Sequence, residues 1–122
     1  MQLTATSDPV TTDPVTSDPV TTDPVLERAV KALASARRLQ ILDWLKDPAA
    51  NFPPQEHGDP VAHGACNMYI TDKLGVSQPA ASRHMKVLVD AGLVVATPRS
   101  GYVYYRRNEP AIKRLKADLA HI

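Results

Sequence analysis

The sequence is short of the features that mark most functional classes. It holds a single cysteine, Cys66, one tryptophan and one phenylalanine in 122 residues. One thiol cannot close an intrachain disulfide and fits a reducing compartment. No apolar run approaches the roughly 20 residues a helix needs to span a bilayer. The opening MQLTATSDPV lacks the basic and apolar regions of a secretory signal. Missing as well are a nucleophile–base pair, paired carboxylates and a phosphate-binding loop, and the chain is short for a catalytic pocket. These absences predict a cytoplasmic protein that is neither membrane-bound nor an enzyme.

What is present begins with a repeat. Residues 6–25 are four pentapeptides, TSDPV, TTDPV, TSDPV and TTDPV. Proline at every fifth position removes a backbone donor and biases its predecessor away from helix. One valine per repeat cannot build a core that offsets the entropy of ordering. The sequence thus predicts a disordered acidic tail over 1–25 and one folded domain over 26–122. Charge divides at the same point. All 14 Lys and Arg follow residue 25, against nine Asp and Glu there, so a whole-chain charge of +1 conceals a domain of +5. The tail carries Asp8, Asp13, Asp18 and Asp23, either as solvated charge or as competitors for whatever the basic domain binds. A basic domain suits a polyanionic partner. A single core this small is marginal, and burial in a dimer is a common remedy.

Over 26–46 apolar residues recur at helical spacing, with Ser35 placed to cap a second helix and Pro48 to end it. Four prolines and two glycines make 47–66 a loop. Residues 67–74 and 78–91 read as two close-set helices, separated by Gly75 and capped by Ser77, with Pro79 in the first turn of the second. Short β-branched and aromatic runs at 93–97 and 102–105 flank an Arg-Ser-Gly turn, which is a hairpin. A last helix covers about 109–122. The fold class is mainly α with a β-hairpin wing, in the order α-α-α-α-β-β-α.

Two helices joined by such a turn make a helix-turn-helix, whose second helix can enter a DNA major groove. On that helix Ala81, Met85 and Leu88 share the inward face, while Pro79, Ser82, Arg83 and Lys86 lie opposite with Gln78 beside them. Arg pairs bidentately with guanine and Gln with adenine. Ser77 and the helix N-terminal amides suit a phosphate. Arg99, Tyr102, Arg106 and Arg107 sit at or beside the hairpin, where a basic wing can track the backbone or the minor groove. His84, at the edge of the helix, is placed for a DNA or structural contact.

The stretches LASARRLQILDWL (33–45), LGVSQPAASRHMKVLVDAGLV (74–94) and YVYYRRN (102–108) resemble the ArsR/SmtB family of small metal- and stress-responsive bacterial repressors. The resemblance spans roughly 27–120. It implies a homodimer built from the first and last helices, through faces such as Leu26, Val30 and Leu33 and Ile112, Leu115 and Leu119. It also implies that each subunit places one recognition helix in operator DNA and that an inducer releases it. One type of family sensor uses a Cys-x-Cys pair; the matching positions here are Cys66 and Met68, a thioether replacing one thiolate. Another joins the two C-terminal helices through Asp, His and Glu. Asp118 and His121 fall where two of those ligands lie, but Asn108-Glu109-Pro110 replaces the Asp-x-His of the other half.

A third donor set is local to this chain: His57, His63, Cys66 and Met68. Imidazole and thiolate suit zinc, nickel or copper, and thioether suits Cu(I). The spacing H-x5-H-x2-C matches no established metal pattern, and a lone cysteine most often packs as a small apolar residue. The sequence therefore predicts a sequence-specific DNA-binding regulator, a repressor, with a transition metal as the candidate cofactor. The alternatives are a winged-helix protein-interaction module and a regulator that works without a metal or other effector.

Overall fold

The computed structural model describes residues 23–122, so the tail expected at the N-terminus lies, apart from its last three residues, outside the described residues. Those three correct the boundary placed after residue 25. Asp23 is the N-cap of α1 (Pro24–Leu33), its Oδ1 accepting the N–H groups of Val25 at 3.0 Å and Leu26 at 3.4 Å. Asp-Pro supplies a capping carboxylate and then a residue whose missing N–H is no loss in the first turn. The fourth repeat runs directly into the amphipathic segment LERAVKAL, and its aspartate caps the helix that this segment forms.

Ser35 caps α2 (Ala36–Trp44) as expected, accepting from the Arg38 N–H at 3.2 Å. Pro48 does not end that helix. It opens α3 (Pro48–Asn51), with Asp47 as N-cap, a second use of Asp-Pro. The loop predicted over 47–66 is also shorter at its far end, where β1 (Ala65–Cys66) pairs antiparallel with β3 through Ala65↔Tyr105 and Cys66↔Tyr104. Between them Gln55 replaces secondary structure as the organiser. Its Nε2 donates to the carbonyls of Gly58 (3.2 Å) and Gly64 (3.0 Å), and its Oε1 accepts the Cys66 N–H at 2.8 Å.

The remaining elements are α4 (Asn67–Leu74), α5 (Gln78–Asp90), β2 (Val94–Arg99), β3 (Tyr102–Arg107) and α6 (Glu109–Leu119). The β2–β3 register runs from Val94↔Arg107 to Arg99↔Tyr102, closed by Ser100 and Gly101 with φ of 52° and 81°. Positive φ at both central residues is the two-residue turn that matches strand twist. The hairpin is thus the outer part of a three-stranded sheet in the order β1-β3-β2.

Ile41, Ile70, Met85, Leu88 and Leu93 are fully buried at the centre, where α2, α4, α5 and the start of the sheet meet. Ile112 and Leu115 belong to the same core at 7% exposure each, so one protomer leaves little of either at its surface. Arg107 departs from the expected position on the wing. Its side chain is buried, donating through Nε and Nη2 to both carboxylate oxygens of Glu109 (2.9 and 3.1 Å) and through Nη1 to the Leu42 carbonyl at 3.1 Å. It ties the end of the sheet to α2 and is not presented to a ligand. No described helix is long and apolar enough to cross a membrane.

Candidate nucleic-acid interface

Helices α4 and α5 place the predicted reading face as the spacing requires. Ala81, Met85 and Leu88 are 2%, 2% and 0% exposed, so the residues on the other side of α5 are turned to solvent. Gln78, Pro79, Ser82, Arg83 and Lys86 are all exposed. No hydrogen bond to another described residue ties the side chains of Gln78, Ser82 or Arg83. Lys86 is paired along the helix with Asp90 at 3.0 Å, an exposed pair one turn on that holds its ammonium only weakly.

Ser77 starts α5, its Oγ accepting the Ala80 N–H at 3.3 Å. The same hydroxyl therefore orders the first turn from which Gln78 and Pro79 project. Ser77→Ala should cost about 1 kcal/mol of stability, the usual value of a lost N-cap, read as a lowered urea midpoint at unchanged m-value. A midpoint equal to that of the parent would show that Pro79 alone holds the turn.

On the wing, Tyr102 is 42% exposed and Arg106 is exposed. Arg99 differs from expectation. Its Nε donates to the His57 carbonyl at 2.7 Å, so the residue ties the hairpin to the 52–64 loop and only part of its guanidinium faces outward. His84 makes a structural contact, its Nδ1 lying 3.2 Å from Arg38 Nη1. Burial, and then the charges of Arg38, Arg37 and Arg83, push this imidazole below the ordinary histidine range. Sequence reasoning could not have found this pair, since its members stand 46 positions apart.

The candidate metal donors are not brought into one set. His57, Cys66 and Met68 line a cleft of about 300 Å³ together with Tyr69, Tyr102 and Tyr104. His63 is turned elsewhere, its Nδ1 accepting the Asp59 N–H at 3.0 Å, and Cys66 is buried at 6% exposure. Asp118 and His121 stand at the end of α6, joined only through the backbone, His121 N–H to the Asp118 carbonyl at 3.1 Å. Among the described residues no three His, Cys, Asp or Glu side chains are grouped to hold a metal ion. The described residues of one protomer, as they are placed here, do not form such a set.

The predicted dimer residues divide. Val30 is 42% exposed on α1, Leu26, Leu33 and Leu119 are half-buried, and Ile112 and Leu115 are core. Between α1 and α6 lies a cleft of about 310 Å³, floored by Leu26, Ala29, Leu93 and Leu115 and rimmed by Arg114 and Asp118.

The family model for bacterial regulatory proteins of the arsR family matches residues 65–95, from β1 through α4 and α5 into β2. The uncharacterised HTH-type transcriptional regulator YbzH of Bacillus subtilis is 46% identical over 85 residues, covering 70% of this chain and 85% of its own length. Among solved structures, the homodimeric winged helix-turn-helix DNA-binding domain of a Mycobacterium bovis protein is 28% identical. It covers 79% of this chain and 76% of that one with a TM-score of 0.56. NolR from Sinorhizobium fredii is 26% identical, covering 76% and 79%, with a TM-score of 0.52.

Proposed function

The chain belongs to the arsR family of bacterial regulatory proteins, DNA-binding winged helix-turn-helix transcription regulators, and from that premise we propose that it is a homodimeric cytoplasmic repressor. The observation that carries the reading is the outward face of α5, where Gln78, Ser82 and Arg83 are exposed and tied to no other described residue while the opposite face is locked into the core. Gln78, Ser82 and Arg83 read base edges. Ser77 and Lys86, with Arg99 and Arg106 on the wing, set the register on phosphates, and Pro79 and Tyr102 line the same surface.

The second copy docks on α1 and the outer side of α6. Val25 and Val30 leave an apolar surface on α1 at 68% and 42% exposure, and the Mycobacterium bovis relative is a homodimer. Two-fold pairing puts the two recognition helices about one turn of DNA apart, roughly 34 Å, which implies a half-site repeat at that spacing. A protein-docking role for the α5 face is disfavoured, because such surfaces are enriched in exposed aromatics and this one is small, polar and basic.

The test is fluorescence anisotropy of metal-free protein on DNA from its own promoter, against a scrambled duplex, and then transcription from that promoter in vitro. The expected result is tight promoter binding and lowered transcript yield. Equal, salt-sensitive binding to both duplexes would overturn the specific reading. Raised transcription would overturn repression alone. Because the described residues of one protomer group no ligand set, a metal response through Asp118 and His121 would draw further donors from outside that set, the second copy among them. Repeating the titration with zinc, nickel and Cu(I) should leave affinity unchanged unless the dimer completes that site.

A further inference from the structure

Arg38, half-buried on α2, is held by three side-chain contacts. Its Nε donates to the Ala32 carbonyl at 2.7 Å and its Nη2 reaches the Lys31 carbonyl at 3.4 Å, both in the last turn of α1. The Ala32 carbonyl has no backbone partner among the described residues and the Lys31 carbonyl has the capping N–H of Ala34 at 3.1 Å, so a guanidinium there completes the end of the helix and meets the negative end of its dipole. The third contact is Nη1 to His84 Nδ1 at 3.2 Å. Arginine has five donors and no acceptor, so Nδ1 must supply the lone pair. The imidazole is neutral, with its proton on Nε2. His84 comes directly after Arg83 on α5, where the reading face turns into the core.

We propose that Arg38 and His84 are positioning residues for base reading, a clamp that fixes the roll of α5 against the end of α1 and opens when His84 takes a proton. The inference rests on the reading of α5 as recognition helix and α1 as dimer helix. If α1 sets where the two-fold axis lies, the link from α1 to α5 sets where each reading face arrives on the DNA. Phosphate contacts tolerate a small rotation of α5, whereas bidentate base contacts do not. Loss of the clamp therefore lowers discrimination more than it lowers total binding.

Among the described residues the charged groups facing His84 are Arg38 and Arg37 from α2 and Arg83 from its own helix, with no carboxylate in that set. A proton on the ring would remove the acceptor and add a fourth cation to the cluster. Because the folded protein holds this histidine below its ordinary value, the unfolded chain binds more protons as acidity rises. The clamp's contribution to stability is thus complete above about pH 6.5 and drains away as pH falls below it.

The experiment compares promoter and scrambled-duplex affinities at pH 8 and at an acid pH below the His84 midpoint read from the parent's imidazole NMR titration, at fixed salt, for the full chain and for His84→Asn. Asparagine keeps an acceptor oxygen near the Nδ1 position and does not titrate. For the parent, the ratio of the two affinities should fall about tenfold at the acid pH, the equivalent of one lost oriented contact. Scrambled-duplex binding should hold or tighten, because the site has gained a positive charge. In His84→Asn the ratio should be the same at both pH values. A parent ratio that does not change would overturn the clamp, and so would a pH-dependent loss that persists in His84→Asn, which would belong to another group. No promoter preference at pH 8 would instead sink the DNA-reading premise. Should His84→Asn fail to fold, the imidazole NMR titration of the parent decides: an Nε2–H tautomer titrating below 6.5 supports the clamp, and titration at or above 6.5 refutes it.

Discussion

Arg83→Ala is expected to weaken binding to the cognate operator by about 1–3 kcal/mol, roughly five- to 150-fold, with a much smaller loss on a scrambled duplex. The side chain is exposed on α5 and untied to any other described residue, so its removal leaves the core as it is and the thermal midpoint should stay within about a degree or two. What is lost is a planar fork of donors that matches the acceptor pair on guanine. Arg83→Lys separates charge from geometry. It preserves the cation for phosphate but not the fork, so scrambled-duplex affinity should recover while discrimination stays low. Anisotropy titrations at pH 8, where His84 is neutral in every variant, check both. An equal loss on the two duplexes would reassign Arg83 to the phosphate backbone.

Gly64→Ala should destabilise the domain by about 3 kcal/mol or more, well beyond the usual effect of a loop substitution. Gly64 has φ of +90°, and a Cβ there would stand 1.9 Å from the Tyr105 carbonyl oxygen and 2.5 Å from its carbon. Neither atom is free to move. Tyr105 pairs with Ala65 on one side and with Ala96 on the other, so the central strand would have to give up part of its ladder. Gly101 is the control, because it too has positive φ but meets nothing within 4 Å of the same added carbon. Alanine there should cost only the left-handed strain, about 1–2 kcal/mol. Urea midpoints for the two variants test the difference, and equal losses would mean that the close approach of Gly64 to β3 contributes nothing. The same substitution should weaken DNA binding, since the sheet that carries Tyr102 and Arg106 is the element disturbed.

The recognition unit was legible because its signals are local. Ser77 as cap, Pro79 in the first turn and Gly75 before it mark the bounds of α4 and α5 within a residue, and the spacing of Ala81, Met85 and Leu88 tells which face is inward. The elements missed are those whose cause lies elsewhere in the chain. A strand of two residues has no periodicity, and β1 exists because β3 offers it an open edge. Asp47-Pro48 carried a readable sign, since it repeats the Asp-Pro that caps α1, but prolines in a run read first as loop.

Arg107 shows the limit most clearly. Three basic residues, Arg99, Arg106 and Arg107, look alike in the sequence, yet one ties the hairpin to a loop, one faces solvent and one is buried against Glu109 and Leu42. Alternation along a strand sends neighbouring side chains to opposite faces, which separates Arg106 from Arg107 once the register is known. Capping, helix periodicity and charge segregation act over a few residues, and so the sequence by itself determined the helix-turn-helix, the outward face of its second helix and the basic character of the domain. Which cations are free, which apolar residues of α6 are core, and how His84 joins α5 to α1 were decided only by tertiary structure, because each depends on a partner brought near by the packing of the whole chain.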